Sequence, residues 1–168
     1  MTVAPRLTAE AVEAPADGRQ SEAALAIARG TGRLLVAHGM TALPELVLPT
    51  GRRADLVALS AKGEIWIVEI KSSVEDFRAD QKWPEYATYC DRFFFAVNET
   101  FPDALIPHHA GLIVADRYGA ELIRESPLDR IAPNVRRQVT LAAARAAAAR
   151  LHVLHDPEAG LDARLLRE

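Results

Sequence analysis

The run Ile65-Trp66-Ile67-Val68-Glu69-Ile70-Lys71 limits the fold more than any other stretch of the chain. Alternate side chains of a strand share a face, so Ile65, Ile67, Glu69 and Lys71 point one way and Trp66, Val68 and Ile70 the other. Both faces are apolar until the C-terminal end, where a carboxylate and an ammonium emerge together. This pattern predicts an interior strand, covered on both sides and charged at its tip. Taken alone, Glu69 and Lys71 also fit an exposed strand-end ion pair, worth ~0–1 kcal/mol. The neighbouring segments decide between the two.

Residues 1–20 mix Ala, Pro, Glu and Asp without apolar periodicity and read as a disordered tail. Ser21 is a candidate N-cap for a first helix that ends near His38-Gly39, with an apolar stripe through Ala24, Leu25, Ala28, Leu34 and Leu35 and local weakening at Gly30 and Gly32. Strands follow at 43–48 and 53–59, separated by Pro49-Thr50-Gly51, and Ala61-Lys62-Gly63 turns the chain into the strand at 65–71. Such short loops predict an antiparallel meander. Ser73 with Asp76 marks the start of a helix, and Pro84 predicts a break near Lys82-Trp83 before a second helical piece. A phenylalanine-rich strand at 91–97, a proline-interrupted loop at 98–109, a hairpin at 111–116 and 120–124 around Tyr118-Gly119, and an alanine-rich helix at 127–155 complete the pattern. A helix after the meander lets the next strand lie parallel to an inner strand, which gives an α/β fold with a mixed sheet flanked by helices. One domain at 21–155 and a flexible tail at 156–168 are expected.

Composition narrows the function classes. At 168 residues the chain suits one ordinary domain. No apolar run approaches the ~20 residues of a membrane span. The single cysteine, Cys90, excludes an intramolecular disulfide framework, and the start lacks a secretory pattern, so the cytoplasm is the expected compartment. A net charge of -3 argues against a general polyanion-coating protein but leaves room for a local basic surface. Arg124, Arg130, Arg136, Arg137, Arg145 and Arg150 face only Glu125 and Asp129 in their stretch, as a phosphate-contacting or simply solvated set.

The chemistry turns on Asp55. It lies in the otherwise apolar strand at 53–59, which the short turn pairs with the Glu69 strand, and a buried aspartate is costly unless something compensates it. A divalent cation held by Asp55 and Glu69 would do so, since Mg2+ is commonly bound by one or two carboxylates with carbonyls and waters. Lys71, on the Glu69 face, is then placed to orient or deprotonate a water and to offset charge on a phosphate. Arg52 and Arg53 are candidate phosphate contacts, and Trp83 is either a base-stacking platform or a core residue. Asp76 and Asp80, at i, i+4, fit an outer shell or an exposed acidic face, and Glu45 is placed to face the site from the preceding strand. His108-His109 lacks partners at ligand spacing, and Cys90 fits buried packing.

Asp55, a short hairpin, Glu69-Ile70-Lys71 and a helix beginning at once resemble the core of the PD-(D/E)XK nuclease superfamily, whose central fold is α-β-β-β-α-β, the restriction-endonuclease-like core. The string from Gly51-Arg52-Arg53-Ala54-Asp55 through Val68-Glu69-Ile70-Lys71-Ser72-Ser73, Asp76-Phe77-Arg78-Ala79-Asp80, Lys82-Trp83-Pro84-Glu85-Tyr86 and Cys90-Asp91 is similar to the MmcB family of bacterial DNA-repair proteins. That similarity spans about residues 20–152. It implies that Asp55 and Glu69 ligate Mg2+ or Mn2+, that the Ile70 carbonyl completes the inner shell, and that Lys71 is the catalytic lysine. Some relatives add an acid from the first helix, for which Glu22 is the candidate. Some also carry a Gln-x-x-x-Tyr element, whose spacing falls here on Lys82 and Tyr86, with Gln81 one place early. Ala54 replaces the proline of the superfamily name, which contributes turn geometry rather than chemistry.

The expected function is therefore Mg2+-dependent hydrolysis of DNA phosphodiesters in repair, with DNA and another repair protein as partners. The alternative is a nuclease-fold module that binds DNA or a partner without useful turnover.

Overall fold

The computed structural model describes residues 21–80 and 82–158. Six strands form one sheet in the order in which they occur in the chain. They are β1 (Met40–Val47), β2 (Arg53–Ser60), β3 (Ile65–Lys71), β4 (Arg92–Val97), β5 (Gly111–Ala115) and β6 (Ala120–Arg124). β1, β2 and β3 are the antiparallel meander, β3, β4 and β5 run parallel, and β6 returns antiparallel. The helices are α1 (Glu22–Ala37), α2 (Val74–Ala79), α3 (Trp83–Ala87) and α4 (Pro133–His155).

All seven residues of β3 are buried, as its two-faced apolar pattern requires. On one face, Trp66, Val68 and Ile70 join Leu56, Phe94 and Ile113 beneath Ile27 and Leu35 of α1. On the other, Ile65 and Ile67 join Phe93, Phe95 and Val97 beneath Tyr86 of α3 and Val139 and Ala143 of α4. Phe95 is fully buried, with Phe77 5.4 Å and Trp83 5.8 Å away between ring centroids. Truncating a side chain so placed costs about 3–5 kcal/mol.

Local chemistry sets the element ends. Ser21 Oγ accepts the Ala24 N–H and starts α1. Ser73 Oγ accepts the Asp76 N–H while Asp76 Oδ2 accepts the Ser72 N–H, which starts α2 directly after β3. Pro84 stands in the first turn of α3, where a missing N–H costs nothing, so the helical segment breaks between Ala79 and Trp83 as the proline predicts. Gly63, at φ 81°, makes the β2–β3 turn. Gly30 weakens α1 for a reason the helix itself does not show. A Cβ there would lie 2.1 Å from the Asp116 carbonyl oxygen, so the glycine admits the β5–β6 hairpin against the helix. Arg33 pins the same hairpin by donating to the Arg117 and Tyr118 carbonyls.

Three expectations need correction. β1 begins at Met40, where pairing with Ser60 extends it three residues beyond the expected start. α4 begins at Pro133, not at 127. The preceding segment has no regular secondary structure and is tied to the sheet: Ser126 Oγ accepts the Phe93 N–H, and the Asp129 and Ile131 N–H groups donate to the Asp91 carbonyl and carboxylate. The arginines of the C-terminal region do not form a single phosphate face. Arg124 donates to the Ala110, Ile106 and Pro107 carbonyls, Arg136 to Asp91, and Arg150 to the Pro44 and Glu45 carbonyls of β1. The tail expected at 1–20, and most of that at 156–168, lies outside the described residues. No helix among the described residues is long and apolar enough to cross a membrane.

Candidate active site

β2 and β3 pair from Leu59–Ile65 to Leu56–Val68 and then part. Beyond the last rung, side chains replace the backbone ladder. The Ile70 N–H donates to Asp55 Oδ2 at 2.8 Å, and the Asp55 N–H donates to Glu69 Oε1 at 3.2 Å. One oxygen of each carboxylate thus accepts a backbone N–H, and the second oxygen of Glu69 faces Lys71. The strands open a polar cavity of about 330 Å3 bordered by Asp55, Glu69, Ile70 and Lys71, with Asp76 and Asp80 from the α2 side.

Glu69 and Lys71 are each only 3% exposed. Their shared face brings Lys71 Nζ within 4.0 Å of Glu69 Oε2, but the nearer partner is Asp80, whose Oδ2 lies 2.7 Å from Nζ. Burial pushes the Glu69 carboxyl well above its ordinary range, and the neighbouring Asp55 charge adds to that. Burial likewise raises Asp55, against the opposing Ile70 N–H and Lys71 charge. Burial works against the Lys71 ammonium, yet the Asp80 hydrogen bond and charge outweigh it and leave the amine above its ordinary value. Asp80 is held low by Lys71 and by the Lys82 N–H, although burial opposes this. The metal-free site therefore contains one secured ion pair, Lys71 with Asp80, beside two carboxyls that resist ionisation.

Tyr86 is buried and donates from its hydroxyl to the Arg53 carbonyl at 3.3 Å; burial and the nearby acids raise its pKa. It borders both this cavity and a second one of about 270 Å3, which adds Arg52 and Lys82.

The sequence candidates divide accordingly. Asp55, Glu69, Ile70, Lys71 and Tyr86 come together, and Lys82 lies at the adjoining cavity. Glu22 does not reach the site. It is exposed and pairs with Arg117 at 3.7 Å, because the first turn of α1 presents Ser21 and Ala24 to the cavity instead. Arg52 grips Glu85 with two hydrogen bonds and Arg53 pairs with Glu45, so both arginines are engaged within the protein. Trp83 is half-buried and packs against the core, with ring centroids 5.4 Å from Phe93 and 5.0 Å from His109. Cys90 is buried, and burial pushes its thiol up to about 12. Asp80, grouped by spacing with Asp76 as a helix face, proves to be the partner of Lys71. Its position past the end of α2 is a tertiary fact that helical spacing does not encode.

A mixed sheet whose central hairpin parts around two acids and a lysine, with helices on both faces, defines an α/β protein with a restriction-endonuclease-like core. The chain belongs to the MmcB-like DNA repair protein family, whose model matches residues 11–158. It is also similar to a solved structure described as the SPO1766 protein of unknown function from Silicibacter pomeroyi. The two share 42% sequence identity and a TM-score of 0.81, over 86% of this chain and 99% of that one. No curated protein matches the chain.

Proposed function

We propose that the protein is a Mg2+-dependent DNA nuclease of the PD-(D/E)XK type that hydrolyses phosphodiesters in DNA repair. The observation that carries this reading is the convergence of Asp55, Glu69 and Lys71 on a polar cavity where β2 and β3 part. The Asp55 and Glu69 carboxylates and the Ile70 carbonyl are the groups that would hold Mg2+ or Mn2+. They fit a hard cation: the donors are all oxygen, and the two buried carboxyls lack a charge partner of their own as close as the one Asp80 gives Lys71. Among the described residues no cluster of three or more His, Cys, Asp or Glu is positioned to hold a metal, so carbonyl and water ligands would complete the set. When bound, the ion supplies Lewis-acid stabilisation of phosphate charge and a water of lowered pKa.

The protein's own groups do the rest. Lys71 presents an ammonium at the cavity wall, where it orients the attacking water and offsets negative charge developing on the phosphate. Tyr86 fixes the Arg53 backbone at the mouth. Lys82, with Arg52 and Arg53 once they exchange Glu85 and Glu45 for phosphates, supplies the cationic rim for flanking DNA. The net charge of -3 supports delivery to DNA by another repair protein.

A second reading, a nuclease-fold DNA-binding or partner-binding module without turnover, is favoured by one observation: each acid already braces the opposite strand through a backbone N–H. Thermal melting with Mg2+ or Mn2+ tests the metal site that the nuclease reading requires. The nuclease reading predicts a metal-induced rise in melting temperature that Asp55→Asn removes while the metal-free variant stays folded. An equal rise in the variant would place the metal elsewhere and contradict it.

A further inference from the structure

We propose that Asp80 is the positioning residue of Lys71, keeping its ammonium off the metal-binding carboxylates; this rests on the nuclease reading and deepens it. Lys71 carries its charge on a flexible four-carbon stem, and its ammonium has two carboxylates within reach. Asp80 Oδ2 lies 2.7 Å away and Glu69 Oε2 lies 4.0 Å away. Asp80 is fixed through both its carboxylate and its backbone. Asp80 Oδ1 accepts the Lys82 N–H at 3.1 Å, and the Asp80 N–H donates to the Asp76 carbonyl at 3.2 Å. Asp80 is also the residue at which α2 ends, with extended backbone at φ -105° and ψ 95°, so the chain leaves its helix where this carboxylate meets Lys71.

The consequence concerns competition. A lysine released from Asp80 finds Glu69 as its next partner and neutralises the oxygen that a divalent cation needs. Asp80 therefore acts on the cation through Lys71, without being a ligand. It also ties the lysine to the α2–α3 segment, whose Lys82 borders the second cavity, so the ammonium and the cationic rim are set by one stretch of backbone.

A double-mutant cycle reads this without DNA. Mn2+ is titrated into the wild type, Asp80→Asn, Lys71→Met, the double variant and Asp80→Glu, following melting temperature. Lysine 13Cε NMR is recorded on the wild type and the two Asp80 single variants, since the chain has only Lys62, Lys71 and Lys82 to assign. In Asp80→Asn the Lys71 signal is expected to move and the Mn2+ affinity to fall about tenfold, the effect of one ion pair of roughly 1.4 kcal/mol. The double variant is expected to regain the affinity of Lys71→Met, and Asp80→Glu to keep most of the wild-type response. An affinity as low in the double variant as in Asp80→Asn would make Asp80 a ligand and overturn the proposal. An unmoved Lys71 signal, or an Mn2+ response intact in Asp80→Asn, would also overturn it while leaving the nuclease reading standing. A wild type without any Mn2+ response sinks that reading, and the positioning role with it.

Discussion

Asp91 and Asp55 are both aspartates close to the sheet, and their surroundings drive them in opposite directions. Burial opposes the Asp91 charge, but two hydrogen bonds from Arg136 and the N–H groups of Ile65 and Ile131 outweigh it and hold the carboxyl below its usual range. A depressed carboxyl stabilises the fold fully above its unfolded pKa of about 3.9, and the contribution disappears as pH falls through the lower folded value. Asp91→Asn should therefore lower the urea midpoint at pH 7, by the equivalent of about 3–5 kcal/mol for a broken buried pair. The gap to wild type should begin to close below about pH 4 and disappear only once pH falls below the depressed folded value; a gap independent of pH would show that the charge is not what stabilises. At Asp55 and Glu69 the sign reverses. Their raised carboxyls stabilise the metal-free protein below the unfolded carboxylate pKa values, near 4, and that stability is lost as pH rises through the folded values. Glu69→Gln should accordingly raise the melting temperature of the metal-free protein at pH 7 while lowering its response to Mn2+. A lower metal-free melting temperature would indicate that Glu69 is paired more strongly than its surroundings suggest. Both acids were legible in the sequence, because a short turn between two strands leaves little choice of register. Glu22 was not. The alanine-rich start of α1 does not fix the rotation of the helix, and one residue on a helix turns the side chain by about 100°.

At the scale of elements, β3 and the Ser73 helix start follow from local pattern alone, whereas contacts between elements had to be seen. Gly30 looked like a weak point in α1 and is a contact with the hairpin tip. Gly30→Ala should destabilise the fold by about 2 kcal/mol or more, even though alanine favours a helix, because the new methyl meets backbone rather than a movable side chain. A variant as stable as wild type in urea denaturation would mean that the hairpin yields freely. The late start of α4 had a visible signal in Pro133, a residue suited to a first helical turn. What ties residues 127–132 to the sheet is the buried Asp91, whose partners lie 26 to 45 residues away and leave no local trace. Trp83 shows the same limit. Composition alone allows an aromatic at a groove or in a core, and the sequence does not show that Trp83 packs on Phe93, Phe95 and His109 while staying half-buried.

Over the whole molecule, topology accounts for the location of the site. β3, β4 and β5 run parallel, and Lys71 ends β3 at their carboxyl edge, the side on which open α/β sheets commonly bind ligands. The antiparallel meander brings Asp55 to that edge from β2, and α2 follows at once to bring Asp80 over the top. The order of elements was readable from hydrophobic period and turn residues, and the site is a product of that order. Its function is most directly tested by incubating labelled single-stranded, duplex, flapped, bubbled and branched DNAs with the protein and Mg2+ or Mn2+, with Lys71→Ala in parallel. A nuclease built on this site should cut at least one structure in a metal-dependent way, with cutting reduced at least about 100-fold in the variant, the scale on which loss of a charge-stabilising group acts. Wild type and Lys71→Ala equally inert on every substrate, with DNA still bound, would contradict it and favour the binding module.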